Sequence, residues 1–165
     1  MTRPRAPFIA PDNVVRQFSQ AKAGQLVADG LKVFGGDRHG PNTKAYLWHV
    51  FSSDRFSSSF GQQALQLYRQ QVSAEFIALS NDRKLAFFTA SLPEWSSLTD
   101  FYVLPPSFAW TMAFTHQEGW LGPYFARRPD YAKLDAENRS TLQKRCEAEA
   151  ARQQGLGMSL RRPCW

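Results

Sequence analysis

In the run FAWTMAFTH, residues 108–116, large and small side chains alternate without a break. Trp110, Met112, Phe114 and His116 fall on one parity, and Ala109, Thr111, Ala113 and Thr115 on the other. Side chains of a β-strand point alternately to its two faces, so a period of two over this length commits the segment to a strand. The face of large residues needs a helix to cover it; the face of small ones is free to lie open or against another layer. Alternation of this kind belongs to antiparallel sheets, since strands of parallel sheets read as continuous apolar runs.

The same logic extends upstream. DFYVLP (100–105) is strand-like and joins the alternating run through Pro106 and Ser107. AEFIALS (74–80) and KLAFFTA (84–90) flank Asn81-Asp82-Arg83, a composition suited to a turn. Helices are expected on either side of these strands in the chain. Asp12 can cap one running to about Val27, with Val14, Val15 and Phe18 on its apolar side and Gly24 and Gly30 weakening its later turns. Ser59 and Gln62 fit a capping box for a helix from about 60 to 72, whose apolar face is Phe60, Ala64, Leu65, Tyr68 and Val72. KAYLWHVFS (44–52) is apolar on both parities and reads as a short strand or a tight buried turn, after a loop over FGGDRHGPN (34–42). A last helix is expected from Pro129 to Gln154, starting near Asp130 or Asp135, with a thin apolar face of Leu134, Leu142 and Cys146. The predicted fold class is α+β: about four antiparallel strands with helices packed on one face, plus a C-terminal helix. The predicted organisation is an extended arm over 1–11, one domain over 12–128, the helix over 129–154 and a loose tail over 155–165.

At 165 residues, with 43% hydrophobic and 21% charged residues, the chain suits one globular domain. The net charge of +6 is unevenly spread. Residues 1–45 carry seven Lys/Arg against three acids and residues 127–165 nine against five, whereas 46–126 carry four against six. A nucleic-acid reader places its positive stripe on the folded platform, so specific nucleic-acid binding is not expected. Cys146 and Cys164 have no CxxC spacing, which argues against a disulfide framework or a zinc site. Without a membrane-spanning apolar run or a signal-peptide core, the expected setting is the cytoplasm, away from membranes.

Two further elements carry a family resemblance. Trp48, His49, Phe51 and Ser52 form a Trp-His-x-Phe-Ser element. Trp110, Thr111, Thr115 and His116, then Gly122, Pro123, Tyr124 and Phe125, form a Trp-Thr-x-x-x-Thr-His element ending in Gly-Pro-Tyr-Phe. In order and spacing, residues 44–128 resemble a bacterial family known as domain of unknown function 4275. The chain departs from its pattern at Gln117, which separates Glu118 from the histidine where the family has the acid directly after it. The resemblance implies a bacterial origin and a shared fold, and brings no activity with it.

The candidate chemistry gathers around FTHQEGWLGPYF (114–125). His116 at a strand end is either a general base or ligand, or a half-buried ring whose nitrogens tie down the loop that follows. Glu118 reads as a solvated acid, a partner of Arg127 or Arg128, or a catalytic partner of His116. Tyr124 follows the Gly122-Pro123 turn; its hydroxyl caps a backbone group or polarises a substrate. His49 is a satisfied core histidine or, with His116, half of a two-histidine metal site, although no spacing such as HExxH supports a metal. H-x-E at 116–118 matches part of the zinc-deaminase signature, but the P-C-x-x-C that must follow is absent. No phosphate loop or G-x-S-x-G elbow occurs, and no cofactor is implied. Trp120, Tyr124 and His116 are therefore expected to form a binding surface for another protein, since rings of this kind are frequent hot spots. The favoured reading is a small non-catalytic protein-binding module, a class that includes toxin-neutralising immunity proteins. The alternative is an enzyme using His116 with Glu118 or His49, such as a metal-assisted hydrolase.

Overall fold

The computed structural model describes residues 7–11, 14–35, 44, 46–117 and 119–155. In chain order the elements are β1 (Ile9–Ala10), β2 (Arg16–Gln17), α1 (Gln20–Phe34), α2 (His49–Ser52), β3 (Ser59–Phe60), α3 (Gly61–Arg69), β4 (Phe76–Ser80), β5 (Ala86–Thr89), β6 (Trp95–Ser96), β7 (Phe101–Leu104), β8 (Trp110–Phe114), β9 (Tyr124–Arg127) and α4 (Tyr131–Gly155). One sheet has seven strands in the order β2-β5-β4-β7-β8-β9-β3, and β1 pairs with β6 in a separate ribbon. Every pairing is antiparallel.

The expected α+β class and antiparallel sheet are present, but the count of about four strands is corrected to seven and two. The four strands expected from the sequence are β4, β5, β7 and β8. Besides the β1–β6 ribbon, three strands of the large sheet lie outside that expectation; two of them, β2 and β3, are two-residue edge pieces that exist through pairing with β5 and β9 and have no pattern of their own. The third, β9, follows directly on Pro123 and pairs with β8, Met112 opposite Phe125.

The expectation that helices cover one face is also corrected, because alternation along the strands feeds two cores. On one side α1, α2 and the α2 cap residue Trp48 supply Leu26, Val27, Phe34, Trp48, Val50 and Phe51 against Ile77, Leu79, Tyr102, Leu104, Ala113 and Tyr124. On the other, Ala64 and Tyr68 of α3 meet Phe76, Phe101, Val103, Trp110, Met112 and Phe125. The large-residue face of β8 therefore meets a helix as expected. Its small-residue face is not open: Ala113 lies in the core beneath α1 and α2.

Helix limits differ where side chains found better partners than helical spacing suggested. α1 starts after Ser19, whose hydroxyl accepts from the backbone of Lys22. Phe18 packs against Phe88 at the sheet edge, with ring centroids 4.7 Å apart, which explains why its segment is not helical. Asp12, expected as the cap, lies outside the described residues. α3 has Phe60, not Ser59, at its N-cap, with no side-chain bond there, and ends at Arg69. Residues 46–52 adopt the buried-turn alternative, closed by α2. α4 contains no buried residue, yet its first turns are docked. Tyr131 donates its hydroxyl to Gln71 (3.0 Å), and Asn138 donates to the carbonyl of Val72 (2.6 Å). Cys146, expected on the apolar face of this helix, is half-buried, on the wall of an open groove between α4 and the β2–β5 edge.

Candidate functional site

His116 sits two residues beyond the end of β8, and there the alternation of the strand breaks. Instead of joining Phe114, which stacks on Phe101 in the α3-side core, its ring turns to the other layer. It lies 5.2 Å from the Tyr46 ring and 6.4 Å from the Trp48 ring, centroid to centroid. The cause is Asp100. Phe101 pairs with Phe114, a register that carries Asp100 alongside the 115–116 segment. One carboxylate oxygen accepts the backbone N–H of His116 at 2.6 Å, and Nδ1 of the ring lies 3.1 and 3.0 Å from the two oxygens. The Asp100 side chain is only 4% exposed, that of His116 32%.

With a carboxylate facing it, Nδ1 carries the proton and Nε2 is left to act toward solvent. Nε2 has the exposed amide of Gln117 at 3.3 Å. The pair borders an open hollow of about 410 Å3 lined by Tyr46, Ser80, Asn81, Asp82, Leu98, Thr99, Asp100 and His116. Burial pushes the Asp82 carboxyl up, but bonds from the Ser80 hydroxyl and the Lys84 backbone N–H, with the Lys84 charge, outweigh it and leave its pKa below the ordinary value.

The wall opposite Asp100 is the 46–48 turn, fixed to the sheet from the β4–β5 turn. Asn81 accepts from the backbone of Leu47 (3.1 Å) and from the Tyr102 hydroxyl (2.7 Å), and that hydroxyl accepts from the backbone of Trp48 (3.2 Å). Trp48 is 2% exposed, and its indole N–H is the one buried side-chain donor among the described residues without an acceptor. His49 lies half-buried beside it, 4.6 Å from the Trp48 ring and 5.4 Å from that of Tyr46. His49 and His116 thus lean on the same two rings. Among the described residues no group of three or more His, Cys, Asp or Glu is arranged to hold a metal ion.

The loop that follows is tightly fastened. The Thr115 hydroxyl donates to the carbonyl of Leu121, and the carbonyl of Gln117 accepts from both Trp120 and Leu121. Gly122 has φ +115°, and a Cβ placed there would stand 2.7 Å from the Thr115 hydroxyl, so only glycine closes this turn without strain. The fastening holds Trp120 outward, 81% exposed.

Trp120 and Tyr124, expected together on one binding lip, are separated. Tyr124 opens β9 and is 5% exposed, stacked 6.2 Å from Trp48 and tilted against Phe51 and Phe60. Burial, aided by the charge of Asp54, raises its pKa. It packs between the sheet and the 46–52 turn. Glu118 lies outside the described residues. Asp100, which no sequence pattern singles out, is the acid bonded to His116.

Residues 16–125 match the family described as domain of unknown function (DUF4275), and the chain belongs to it. No curated protein and no solved structure matches the chain.

Proposed function

We propose that this member of the family is a protein-binding module whose contact surface is centred on the 115–123 loop. The observation that carries the reading is Trp120: a large ring left 81% exposed on a turn that its own hydrogen bonds hold rigid. Exposing an indole costs solubility, and ordering the turn in advance removes part of the entropy lost on association. Aromatic anchors on pre-ordered backbone are what hot spots are made of. Phe60, 47% exposed on β3, extends the surface: its strand pairs with β9 directly after the loop, and the Gly61 N–H bonds to the carbonyl of Pro123.

A photo-crosslinking amino acid at position 120, introduced in the native cell, tests this. The expected result is a covalent adduct with one second protein. The same amino acid at Trp95, 57% exposed on the β1–β6 ribbon, serves as the control and is expected to give none. No adduct from position 120, or the same adducts from both positions, refutes the reading.

The Asp100–His116 pair supports a second reading, that of an acid–base site. A buried carboxylate orienting an imidazole at the mouth of a hollow is an arrangement that general-base catalysis uses. It ranks second because Asp100 also accepts the backbone N–H of His116, so the same bonds serve to close the hairpin.

A further inference from the structure

We propose that the partner inserts a lysine or arginine side chain into the hollow beside His116, while Trp120 grips the adjoining surface. The inference rests on the protein-binding reading and specifies the partner's chemistry.

Four observations carry it. First, the hollow has the volume for one long side chain, about 410 Å3, and opens to solvent. Second, among the described residues its lining includes Asp82 and Asp100 and no Lys or Arg; the Asp100 carboxylate is already bonded to His116, so Asp82 is the one that faces an incoming cation. Third, Tyr46 lines the hollow with its ring beside His116, and an aromatic face is a favourable neighbour for a cation. Thr99, exposed on the same wall, adds a hydroxyl oxygen. Fourth, the bias extends past the hollow. From Leu85 to Ala126, forty-two residues that include β5 to β8 and the Trp120 loop, the sequence contains no Lys or Arg, in a chain whose net charge is +6. A segment without positive charge within a basic protein is complementary to a basic partner, and complementarity of this kind sets specificity and association rate.

The hollow and the anchor are linked directly along the chain. His116 is followed at once by Gln117, whose carbonyl holds the turn that carries Trp120. Arg83 adjoins Asp82 in the same turn, and Lys84 competes from the rim, since its charge acts on Asp82. An incoming cation displaces it, which is a modest cost for an exposed, flexible ammonium.

The full chain, immobilised, is used to select from a random 12-residue peptide library, and selected peptides are then measured in solution against variants. The expected peptides depend on Trp120 and carry Lys or Arg. Asp82→Asn and Tyr46→Leu each weaken them about two- to fivefold, the effect of losing one partly exposed charge or cation–ring contact. Lys84→Gln strengthens them. Trp120-dependent peptides that lack basic residues, or that ignore Asp82→Asn and Tyr46→Leu, overturn this inference and leave the binding module standing. Selection of peptides indifferent to Trp120→Ala overturns both.

Discussion

Replacing His116 with alanine removes the donor that faces Asp100 across the sheet end. The carboxylate is 4% exposed and is held by three contacts, of which the backbone N–H of residue 116 survives the substitution. The oxygen 3.0 Å from Nδ1 loses its donor. A hydrogen bond to a charged group contributes about 1.5–3 kcal/mol, and stranding a buried acceptor costs a similar amount. Against this, the hollow admits water to the freed oxygen, which offsets part of the loss. Loss of the ring contact with Tyr46 adds about 0.5 kcal/mol. The expected net destabilisation is about 1.5–2.5 kcal/mol. Urea unfolding followed by tryptophan fluorescence reads it directly, because Trp48 and Trp110 are buried and change environment on unfolding. Asp100→Asn and the double variant complete a cycle whose coupling is expected to reach about 1 kcal/mol or more. A single-variant loss under about 0.5 kcal/mol, or strict additivity, would show that the pair does not hold the hairpin together. The acid–base reading would then move ahead, since a histidine kept at no gain in stability is kept for some other use.

Three other outcomes follow from the packing. Gly24 lies within α1, and a methyl group added there would meet nothing within 4 Å, so Gly24→Ala is expected to stabilise the protein by about 0.5–1 kcal/mol, seen as a raised Tm. Gly122→Ala meets both a positive φ and the Thr115 side chain; it is expected to cost at least about 2 kcal/mol and to speed protease cleavage of the loop. Tyr68 and Tyr102 are held neutral in the fold, chiefly by burial, with pKa values well above the ordinary one. Their contribution is complete below the unfolded-chain value of about 10 and is lost as pH rises past it, because the unfolded chain releases those protons first. Urea stability should therefore fall between neutral and strongly alkaline pH, and less steeply in Tyr68→Phe; an unchanged slope in that variant would contradict the burial argument.

What could be read from residues alone was whatever a segment decides by itself. β4, β5, β7 and β8 carry their own apolar patterns and are bounded by turn residues, so their existence was visible. β2 and β3 were not, because two residues have no period and their pairing partners are 72 and 66 positions away in sequence, Arg16 with Phe88 and Ser59 with Phe125. Val14, Val15 and Phe18 fit helical spacing as well as any true helix face, and it is backbone pairing with β5, together with the Phe88 ring, that draws Phe18 to the sheet. His116 was visible as a candidate, but its acid was sought among sequence neighbours. Asp100 stands in an ordinary loop before a strand, and it meets His116 only because the β7–β8 hairpin closes in the register that pairs Phe101 with Phe114. A correct register for that hairpin would have exposed the pair. The burial of Tyr124 is hidden for a related reason: it opens β9, a strand that shows itself only through pairing with β8.

The edges of the large sheet have a consequence for how copies of this chain behave when crowded. Any open sheet ends in two rims of unpaired N–H and C=O groups, on which a stray strand can add and start an aggregate. Here each rim is a stub of two residues. One carries Arg16, whose guanidinium lies over the Phe18 and Phe88 rings; the other turns at Gly61 straight into a helix. A second molecule arriving edge-on finds no template long enough to extend, so concentrated protein is expected to stay dispersed even though its sheet is wide.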